Sequence, residues 1–275
     1  LPWVQHLIEQ TGWKTACTAM GILVIVVLAP INLLLHKRPE DIGLLPDGDP
    51  APTATSAKPV SNIVDPVWAG TDWTLGLAIR TARFWWIAIG YFAGLYIWYA
   101  VQVHQTKFLL DIGFSPTVGV WALGVVSLLG IPGQIWLGHL SDRIGREWVW
   151  AIACFGFAIC FAALVALKYW PSHWLVWLMV LTQGALGYGL TSVMGPVVLE
   201  IFQGKHYGSI FGTIMLAALA GGAAGPWATG LLHDFAGSYT IAFAVGIAVS
   251  LLSALAIFQA APGKVRAVAG KVARG

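Results

Sequence analysis

The sequence predicts an all-α polytopic membrane protein with seven transmembrane helices, six of which form a 3+3 inverted repeat. Only 10% of the 275 residues are charged and 58% are hydrophobic, whereas a soluble domain carries about 25% charged residues. The charges lie between long apolar stretches, each close to the roughly 20 residues that a spanning helix needs. A glycine pattern also recurs along the chain. So low a charge content excludes a soluble globular domain and a disordered chain.

Seven spans follow from the positions of the charged residues. We predict them at 15–35, 84–106, 116–138, 148–167, 173–199, 208–232 and 238–259. The 36–83 segment is then a central loop, far longer than the other connections. Within it, we expect residues 72–83 to form an amphipathic helix on the membrane surface, with Trp73, Leu77 and Ile79 toward lipid.

Basic residues predict the orientation, because Lys and Arg are enriched in cytoplasmic loops. Of the fifteen basic residues, only Lys14, Lys107 and Lys168 lie on one side of the predicted spans. The other side holds the 36–83 loop and the 264–275 tail. We therefore predict a multi-pass protein of the cell (inner or plasma) membrane with this loop and the C-terminus in the cytoplasm.

Two segments share one pattern of glycines with an aspartate. The first contains Gly130, Gly133, Gly138, Asp142 and Gly145, and the second, 92 residues later (130 to 222), contains Gly222, Gly225, Gly230, Asp234 and Gly237. Three helices separate the copies, so they cross the membrane in opposite senses, as in the inverted repeats of secondary transporters. Because small residues let helices approach closely in lipid, we predict helix-packing roles for Gly130, Gly133, Gly222, Gly225, Gly230 and Asp234.

The loop after the third span reads Gly138-His-Leu-Ser-Asp-Arg-Ile-Gly-Arg146. This resembles the G-x-L-S-D-R-x-G-R cytoplasmic signature of the major facilitator superfamily. The segments KRPEDIGLLPDGD, VHQTKFLLDIGFSP and GPVVLEIFQGKHYGSIFG are similar to its monocarboxylate-porter and oxalate/formate-antiporter-like branch. The resemblance covers essentially the whole chain.

The resemblance implies that the chain corresponds to helices 6 to 12 of a twelve-helix carrier and is a fragment lacking helices 1–5. Residues 1–35 would then hold the last helix of the N-terminal half, and 36–83 the cytoplasmic central loop with its amphipathic segment. Residues 84–263 would form the C-terminal six-helix half, and 264–275 a basic cytoplasmic tail. The missing N-terminal half is an expected partner.

The implied function is secondary active transport of a small organic solute by rocker-switch alternating access, as symport or antiport with a proton or another coupling ion. Carriers of that branch often hold an Arg or Lys in the spans that correspond here to 116–138 and 208–232. Neither span contains one. Whether the substrate is a carboxylate therefore stays an open question. If it is, the Arg or Lys that binds it lies in the other half of the carrier.

Polar and aromatic side chains within the spans are the candidates for contact with a solute, since polar groups at membrane depth tend to face the interior. This substrate-pathway set is Tyr91, Tyr96, Trp98, Gln102, His104, Gln134, Gln183 and Tyr188. His104 is the one histidine of the set, and histidine is the residue type that commonly takes part in proton transfer. Its neighbours Lys107 and Asp111 favour a position in the solvated outer loop. Each could instead make an interhelical hydrogen bond or lie at the membrane interface.

The signature loop predicts a gate more readily than a binding site. The gating set is Gly138, Asp142, Arg143, Gly145, Arg146 and Glu200. We expect Arg146 or Arg143 to pair with Glu200 and Asp142 to cap a neighbouring helix, such as the one that begins near 208. The alternative is a solvated loop whose positive charges serve only topology.

Other function classes are less well supported by the sequence. A non-transporting membrane protein, such as a scaffold or a seven-helix receptor-like protein, remains the alternative. Cys17, Cys154 and Cys160 have no metal or disulfide spacing, and we predict no catalytic residues, metal, cofactor or nucleic-acid partner. Trp150 lies near a span end, where tryptophans favour the membrane interface. The expected partners are the solute, its coupling ion and the lipid bilayer.

Overall fold

The computed structural model describes residues 2–34 and 61–272, and these residues are almost wholly helical. They include seven helices that are long and apolar enough to cross a membrane: Trp13–Leu33, Ala82–Asp111, Pro116–Ile144, Arg146–Tyr169, His173–Ile201, Tyr207–Ala236 and Thr240–Lys264. The prediction of an all-α polytopic membrane protein with seven spans is confirmed. The KRPEDIGLLPDGD segment of the central loop lies outside the described residues.

The chain divides into two units, 1–60 and 61–275. The first contains α1 (Pro2–Thr11) and α2 (Trp13–Leu33), which meet at Gly12. Gly12 has a φ of +81°, a conformation that favours glycine. Most apolar side chains of α2 are exposed, as expected for a helix whose solvent is lipid.

The second unit holds the other six spans. It begins with two single-turn helices, α3 (Pro66–Ala69) and α4 (Leu75–Ala78). The long helices that follow are α5 (Ala82–Asp111), α6 (Pro116–Ile144), α7 (Arg146–Tyr169), α8 (His173–Leu181), α9 (Gly189–Ile201), α10 (Tyr207–Ala236) and α11 (Thr240–Ala260). A π-helical turn, Thr182–Gly187, joins α8 to α9 within one span.

The packing of these helices follows the inverted repeat. Helix α5 packs against α10 and α11, and the span from α8 to α9 packs against α6 and α7. Helices α7 and α11 also pack against each other. Exchanging α5 with the α8–α9 span, α6 with α10 and α7 with α11 reproduces the same set of contacts. The six spans are therefore organised as 3+3 around a pseudo-two-fold axis.

Repeat glycines lie where helices cross most closely. A Cβ on Gly133 of α6 would come within 2.5 Å of the carbonyl oxygen of Ala185, in the π-helical turn. At the equivalent crossing, a Cβ on Gly225 of α10 would collide with the carbonyl oxygen of Tyr96 in α5. Only glycine lets the two backbones touch at these points.

One helical turn before each of these glycines, a second repeat glycine lies against an aromatic ring. A Cβ on Gly130 would come within 2.6 Å of the Tyr188 ring, and one on Gly222 within 3.0 Å of the Tyr99 ring. Gly230 has more room, since its nearest neighbour would be His104 at 3.6 Å. Asp234, which was grouped with these glycines, takes no part in helix packing because its side chain is 80% exposed.

Residues 61–73 and 262–272 cover one end of the six-helix unit, and we call them the end cap. Ile63 forms an antiparallel bridge with Arg266, and the Ala267 amide donates to the Asn62 carbonyl at 2.7 Å. Val265, within the second of these segments, is fully buried. The two chain segments therefore hold each other against the helix ends.

Tryptophans anchor the first part of the end cap. Trp68 donates from Nε1 to the carbonyl oxygen of Ile201 at 2.8 Å, and its ring lies 4.4 Å from that of Trp73. Trp73 is buried and meets the Phe202 ring edge-on at 5.3 Å. The expectation that Trp73 faces lipid was wrong, because its ring packs against those of Trp68 and Phe202. The helix predicted over 72–83 is reduced to the single turn Leu75–Ala78 before α5 begins.

Candidate functional site

A charge cluster lies at the end of the unit that carries the end cap, and we call this the arginine end. Arg146 is the first residue of α7 and contacts Asp142 Oδ1 through Nη2 at 2.6 Å. Its Nε donates to Glu200 Oε1 at 2.8 Å, and its Nη1 donates to the hydroxyl of Ser141. One guanidinium thus links the α6–α7 turn to the end of α9.

Burial makes this cluster more than a surface ion pair. The side chains of Arg146 and Glu200 are only 16% and 12% exposed. Glu200 Oε2 is buried without a hydrogen-bond partner among the described residues, and Arg266 of the end cap donates to the Glu200 carbonyl at 3.0 Å. A charge that loses its partner in such a place is strongly destabilising.

The α6–α7 turn depends on Gly145, whose φ of +109° disfavours other residues. This turn brings Asp142 and Arg146 together. The sequence allowed either Arg143 or Arg146 to pair with Glu200, and the structure shows that Arg146 does so. Arg143 is exposed. A Cβ on Gly138 would lie 3.7 Å from the Cβ of Ser192, an ordinary van der Waals distance.

Asp142 does not cap the helix that follows α9, contrary to the expectation. Helix α10 begins after His206 without a side-chain cap. The carboxylate of Asp142 pairs instead with Arg146, one turn further along the chain. The turn at Gly145 explains this, because it keeps the two side chains on the same side.

Three members of the substrate-pathway set are buried between helices. Tyr91 is wholly buried, donates its hydroxyl to the Met194 carbonyl and stacks on Trp150 with 4.8 Å between ring centroids. Tyr96 is 7% exposed, and its side chain interacts with Thr229 of α10. These tyrosines make interhelical contacts and face no open path in this conformation.

Gln183 is the third buried member, at 2% exposure in the π-helical turn. Neither of its amide atoms has a hydrogen-bond partner among the described residues. A buried amide left in this state costs free energy, and π-helical turns often occur at functional sites. The sequence analysis singled out Gln183 but missed the turn, which the closely spaced Gly184, Gly187 and Gly189 could have indicated.

The half-buried members cluster in part. Trp98 of α5 meets the Tyr188 ring edge-on at 4.6 Å and the Phe157 ring at 5.7 Å. Gln102 accepts a hydrogen bond from Gln105 Nε2 at 3.3 Å. Gln105 is fully buried and was not part of the predicted substrate-pathway set.

Gln134 lies apart from this cluster, on an exposed face of α6. The structure therefore brings Trp98 and Tyr188 into contact and leaves Gln134 separate. The candidates do not form one enclosed pocket among the described residues.

His104 lies at the opposite end of the unit, which we call the aromatic end. Its Nε2 lies 3.0 Å from the Pro226 carbonyl and its Nδ1 lies 3.2 Å from the Tyr239 hydroxyl. A carbonyl only accepts, so Nε2 carries a proton and donates to Pro226. Burial raises the pKa of Tyr239.

The expected position of His104 in a solvated loop was wrong. Lys107 and Asp111 form their own exposed pair at 2.9 Å, whereas His104 is half-buried and joins α5, α10 and the start of α11. Rings surround the Tyr239 ring at centroid distances of 4.2 to 5.8 Å; they belong to His104, Phe108, His233 and Phe243.

Trp150 illustrates a contact that the sequence did not reveal. It was expected at the membrane interface but is completely buried. Its Nε1 donates to Ser253 Oγ at 3.0 Å, and Ser253 in turn donates to the Gly90 carbonyl at 2.7 Å. Ser253, one of two serines in a largely apolar span, was the available signal for this link between α5, α7 and α11.

Comparisons with known proteins agree with this architecture. The family model described as Major Facilitator Superfamily matches residues 4–196. A similar protein from Escherichia coli strain K12, described as the uncharacterized MFS-type transporter YhjX, is 28% identical over 150 residues. The alignment covers 51% of this chain and 36% of that protein. Because the family model spans well over half of a chain with seven membrane-spanning helices, the chain belongs to the Major Facilitator Superfamily of membrane transporters.

Proposed function

We propose that the protein is a secondary active transporter that moves a small organic solute by rocker-switch alternating access. The observation that carries this proposal is the Arg146 cluster, in which one buried guanidinium ties the α6–α7 turn to Glu200 at the end of α9. A partly buried pair of this kind holds one end of the unit closed and releases it when water replaces the contacts. A static scaffold needs no such cluster.

The glycine crossings support rigid-body motion. Backbone contact at Gly133 and Gly225 fixes α6 against the π-helical turn and α10 against α5. Helices joined this tightly move together, as rocking of one bundle against another requires. The second bundle would be the N-terminal half that the family resemblance implies, with these seven helices as a fragment of the carrier.

The solute pathway is proposed to include Trp98, Tyr188, Gln102 and Gln134, which are exposed or half-buried. Gln183 is a further candidate through its unpartnered amide. These groups suit hydroxyl, amide or aromatic parts of a solute. The resemblance to the monocarboxylate-porter branch keeps a carboxylate among the candidate solutes. The basic residue that binds the carboxylate would then belong to the other half of the carrier.

The remaining parts of the proposal concern topology and coupling. In this proposal the protein lies in the inner or plasma membrane with the arginine end and the C-terminus in the cytoplasm, which the excess of basic residues on that side supports. A proton or another ion drives transport as symport or antiport. No residue of this chain is assigned to the ion.

Gate accessibility tests the proposal. In a protein with Cys17→Ser, a cysteine placed at Ser192 next to Gly138 reports access from the arginine end. Replacing both Asp142→Asn and Glu200→Gln should raise its alkylation rate several-fold, because Arg146 loses both charged partners. Asp111→Asn, in the exposed pair at the opposite end, is the matched control and should leave the rate unchanged.

The same proteins, reconstituted in vesicles, separate a carrier from a receptor or scaffold. A carrier takes up labelled organic solutes in exchange or along an ion gradient, and the double variant alters that uptake. Unchanged alkylation together with no uptake across a broad solute panel would contradict the proposal.

A further inference from the structure

Two hydrogen bonds join the end cap to the last turn of α9. Arg266 donates from Nη1 to the carbonyl oxygen of Glu200 at 3.0 Å, and Trp68 donates from Nε1 to that of Ile201 at 2.8 Å. The last carbonyl groups of a helix have no partner within the helix itself, and a basic side chain there also complements the negative end of the helix dipole. The end cap therefore caps α9, with one donor from each of its two segments.

These bonds fall on the residue that is also the acidic partner of Arg146. The Glu200 carboxylate accepts from Arg146 at 2.8 Å, while its backbone carbonyl accepts from Arg266. Arg266 is only 8% exposed, so its bond is shielded from water much as the ion pair is. The end cap thus holds Glu200 by its main chain, and Arg146 holds it by its side chain.

The end cap also contacts the other side of the gate, the α6–α7 turn. A Cβ on Gly270 would come within 2.7 Å of the Cα of Arg143, and one on Gly263 within 2.8 Å of Glu147 Oε1. Both glycines of the 262–272 segment therefore pack directly on the turn. This segment follows α11, which packs against α7, so both contact and chain connection join it to the α7 side of the gate.

The 61–73 segment is anchored at the start of α5. The guanidinium carbon of Arg83, in the first turn of α5, lies 4.3 Å from the centroid of the Trp68 ring, a cation–π contact. Asp65 accepts from the Trp68 amide at 3.0 Å and so caps the short helix α3. Both segments are thus attached to α5, α7 or α11, and they hold the end of α9 through the two hydrogen bonds and through ring contacts with Phe202.

We propose that the end cap is a latch that keeps the arginine end closed and must release α9 before this end opens. The inference rests on the proposed function, in which opening separates Glu200 from Arg146. The two sides of the gate cannot move apart while the end cap is bonded to both. Its tail segment is covalently continuous with α11, whereas its contacts with α9 are non-covalent, so α9 is the side that is released. Arg266 and Trp68 are positioning residues, because they hold Glu200 where Arg146 reaches it.

Cysteine accessibility tests the latch, with Ser192→Cys as the reporter in a protein that carries Cys17→Ser. Arg266→Ala should raise the alkylation rate of the reporter about tenfold, because the closed state loses one charge-assisted hydrogen bond that the open state does not have. Lys264→Ala is the matched control, since Lys264 is an exposed basic residue of the same segment, and it should leave the rate unchanged. An unchanged rate in Arg266→Ala would overturn the proposal.

The two buried native cysteines distinguish release of the latch from general loosening. Cys154 and Cys160 of α7 are fully buried, so they react only when the packing of the helices is lost. Mass spectrometry of the alkylated peptides measures each thiol separately in one sample. Release of the latch raises reactivity at the reporter and leaves Cys154 and Cys160 protected. Reactivity that rises equally at all three sites shows loss of structure and contradicts the proposal.

Trp68→Phe is a milder variant that tests the other bond. It keeps an aromatic ring beside Arg83 and Trp73 but removes the donor to Ile201. The reporter should react about fivefold faster, the factor that corresponds to one neutral hydrogen bond. Trp174→Phe, which alters an exposed tryptophan at the start of α8, should leave the rate unchanged. Equal rates in these two variants would show that the bond to Ile201 does not restrain the arginine end.

The double variant Asp142→Asn with Glu200→Gln separates this inference from the proposed function. If it and Arg266→Ala both raise the rate, the ion pair and the end cap close the arginine end together. If the double variant alone raises the rate, the gate stands and the latch fails. If Arg266→Ala alone raises it, the end cap closes the arginine end and the ion-pair gate of the proposed function fails.

Discussion

The arginine end and the aromatic end occupy equivalent places in the inverted repeat but are closed by different chemistry. With the offset of 92 residues, Arg146 corresponds to Ser238 and Glu200 to Phe108. The largely buried ion pair of the arginine end is therefore replaced at the aromatic end by the hydroxyl of Ser238 and the ring of Phe108. Charges that separate are readily hydrated, whereas stacked rings are held by apolar contact and neutral hydrogen bonds.

The aspartates of the two copies show the same contrast. Asp142 pairs with Arg146 and is 49% exposed, whereas Asp234 is 80% exposed and lies 3.3 Å from His233. Ser238, at the position equivalent to Arg146, bonds to Lys168 at 2.8 Å instead. The comparison teaches that the glycines preserve the backbone frame while the side chains of each end are free to diverge.

The largest expected effect comes from breaking the ion pair at the arginine end. Arg146→Ala should lower the free energy of unfolding by about 3 kcal/mol, because it leaves Glu200 buried and unpaired. Arg143→Ala, an exposed change in the same turn, should cost less than about 0.5 kcal/mol. Thermal unfolding of the purified proteins in detergent measures both. Equal effects of the two substitutions would show that the arginine end is not held by this pair.

Substitutions at the two close helix crossings, at Gly133 and Gly225, have the next largest expected effect. They test whether the two copies of the repeat use the same backbone packing. Gly133→Ala and Gly225→Ala should each cost about 1–3 kcal/mol, since their Cβ atoms meet backbone carbonyl groups that cannot move freely. Gly212→Ala, on the same helix as Gly225 but with nothing within 4 Å of its Cβ, is the matched control and should be neutral or stabilising. A neutral Gly225→Ala would rule out the close crossing.

The smallest effect is expected at the aromatic end. Tyr239→Phe keeps the ring and removes the hydroxyl, so it should cost about 1 kcal/mol for one hydrogen bond. His104→Ala removes two hydrogen bonds and should cost somewhat more, and under the proposed transport function it should impair solute uptake. Lys107→Ala, in the exposed pair nearby, should change neither the free energy of unfolding nor solute uptake. If His104→Ala leaves uptake unchanged across pH, His104 has no part in transport.

Much of this architecture was predictable because membrane insertion acts on local composition. Long uncharged stretches gave the seven spans, and repeated glycine spacing gave the 3+3 grouping. The expectation that Arg146 or Arg143 pairs with Glu200 followed from the signature loop and its charges, and the structure chose Arg146. These inferences need only the linear order of the residues and the cost of burying charge in lipid.

Other features escaped prediction because the spans are apolar on every face. Such helices have little periodicity, so the sequence does not tell which side of α5 carries Tyr91 or which neighbour Trp150 meets. The contacts of Trp73 with Phe202 and of Glu147 with Gly263 join residues more than a hundred positions apart. No local pattern encodes them.

The sequence alone therefore determined that the chain crosses a membrane seven times, which segments repeat and where charge can gather. The tertiary structure decided how each helix is rotated, and with it which polar groups became buried links, which stayed accessible and which were left unpartnered. The physical reason is that helix rotation in lipid is set by close packing at a few glycines, and such packing exists only once both helices are in place.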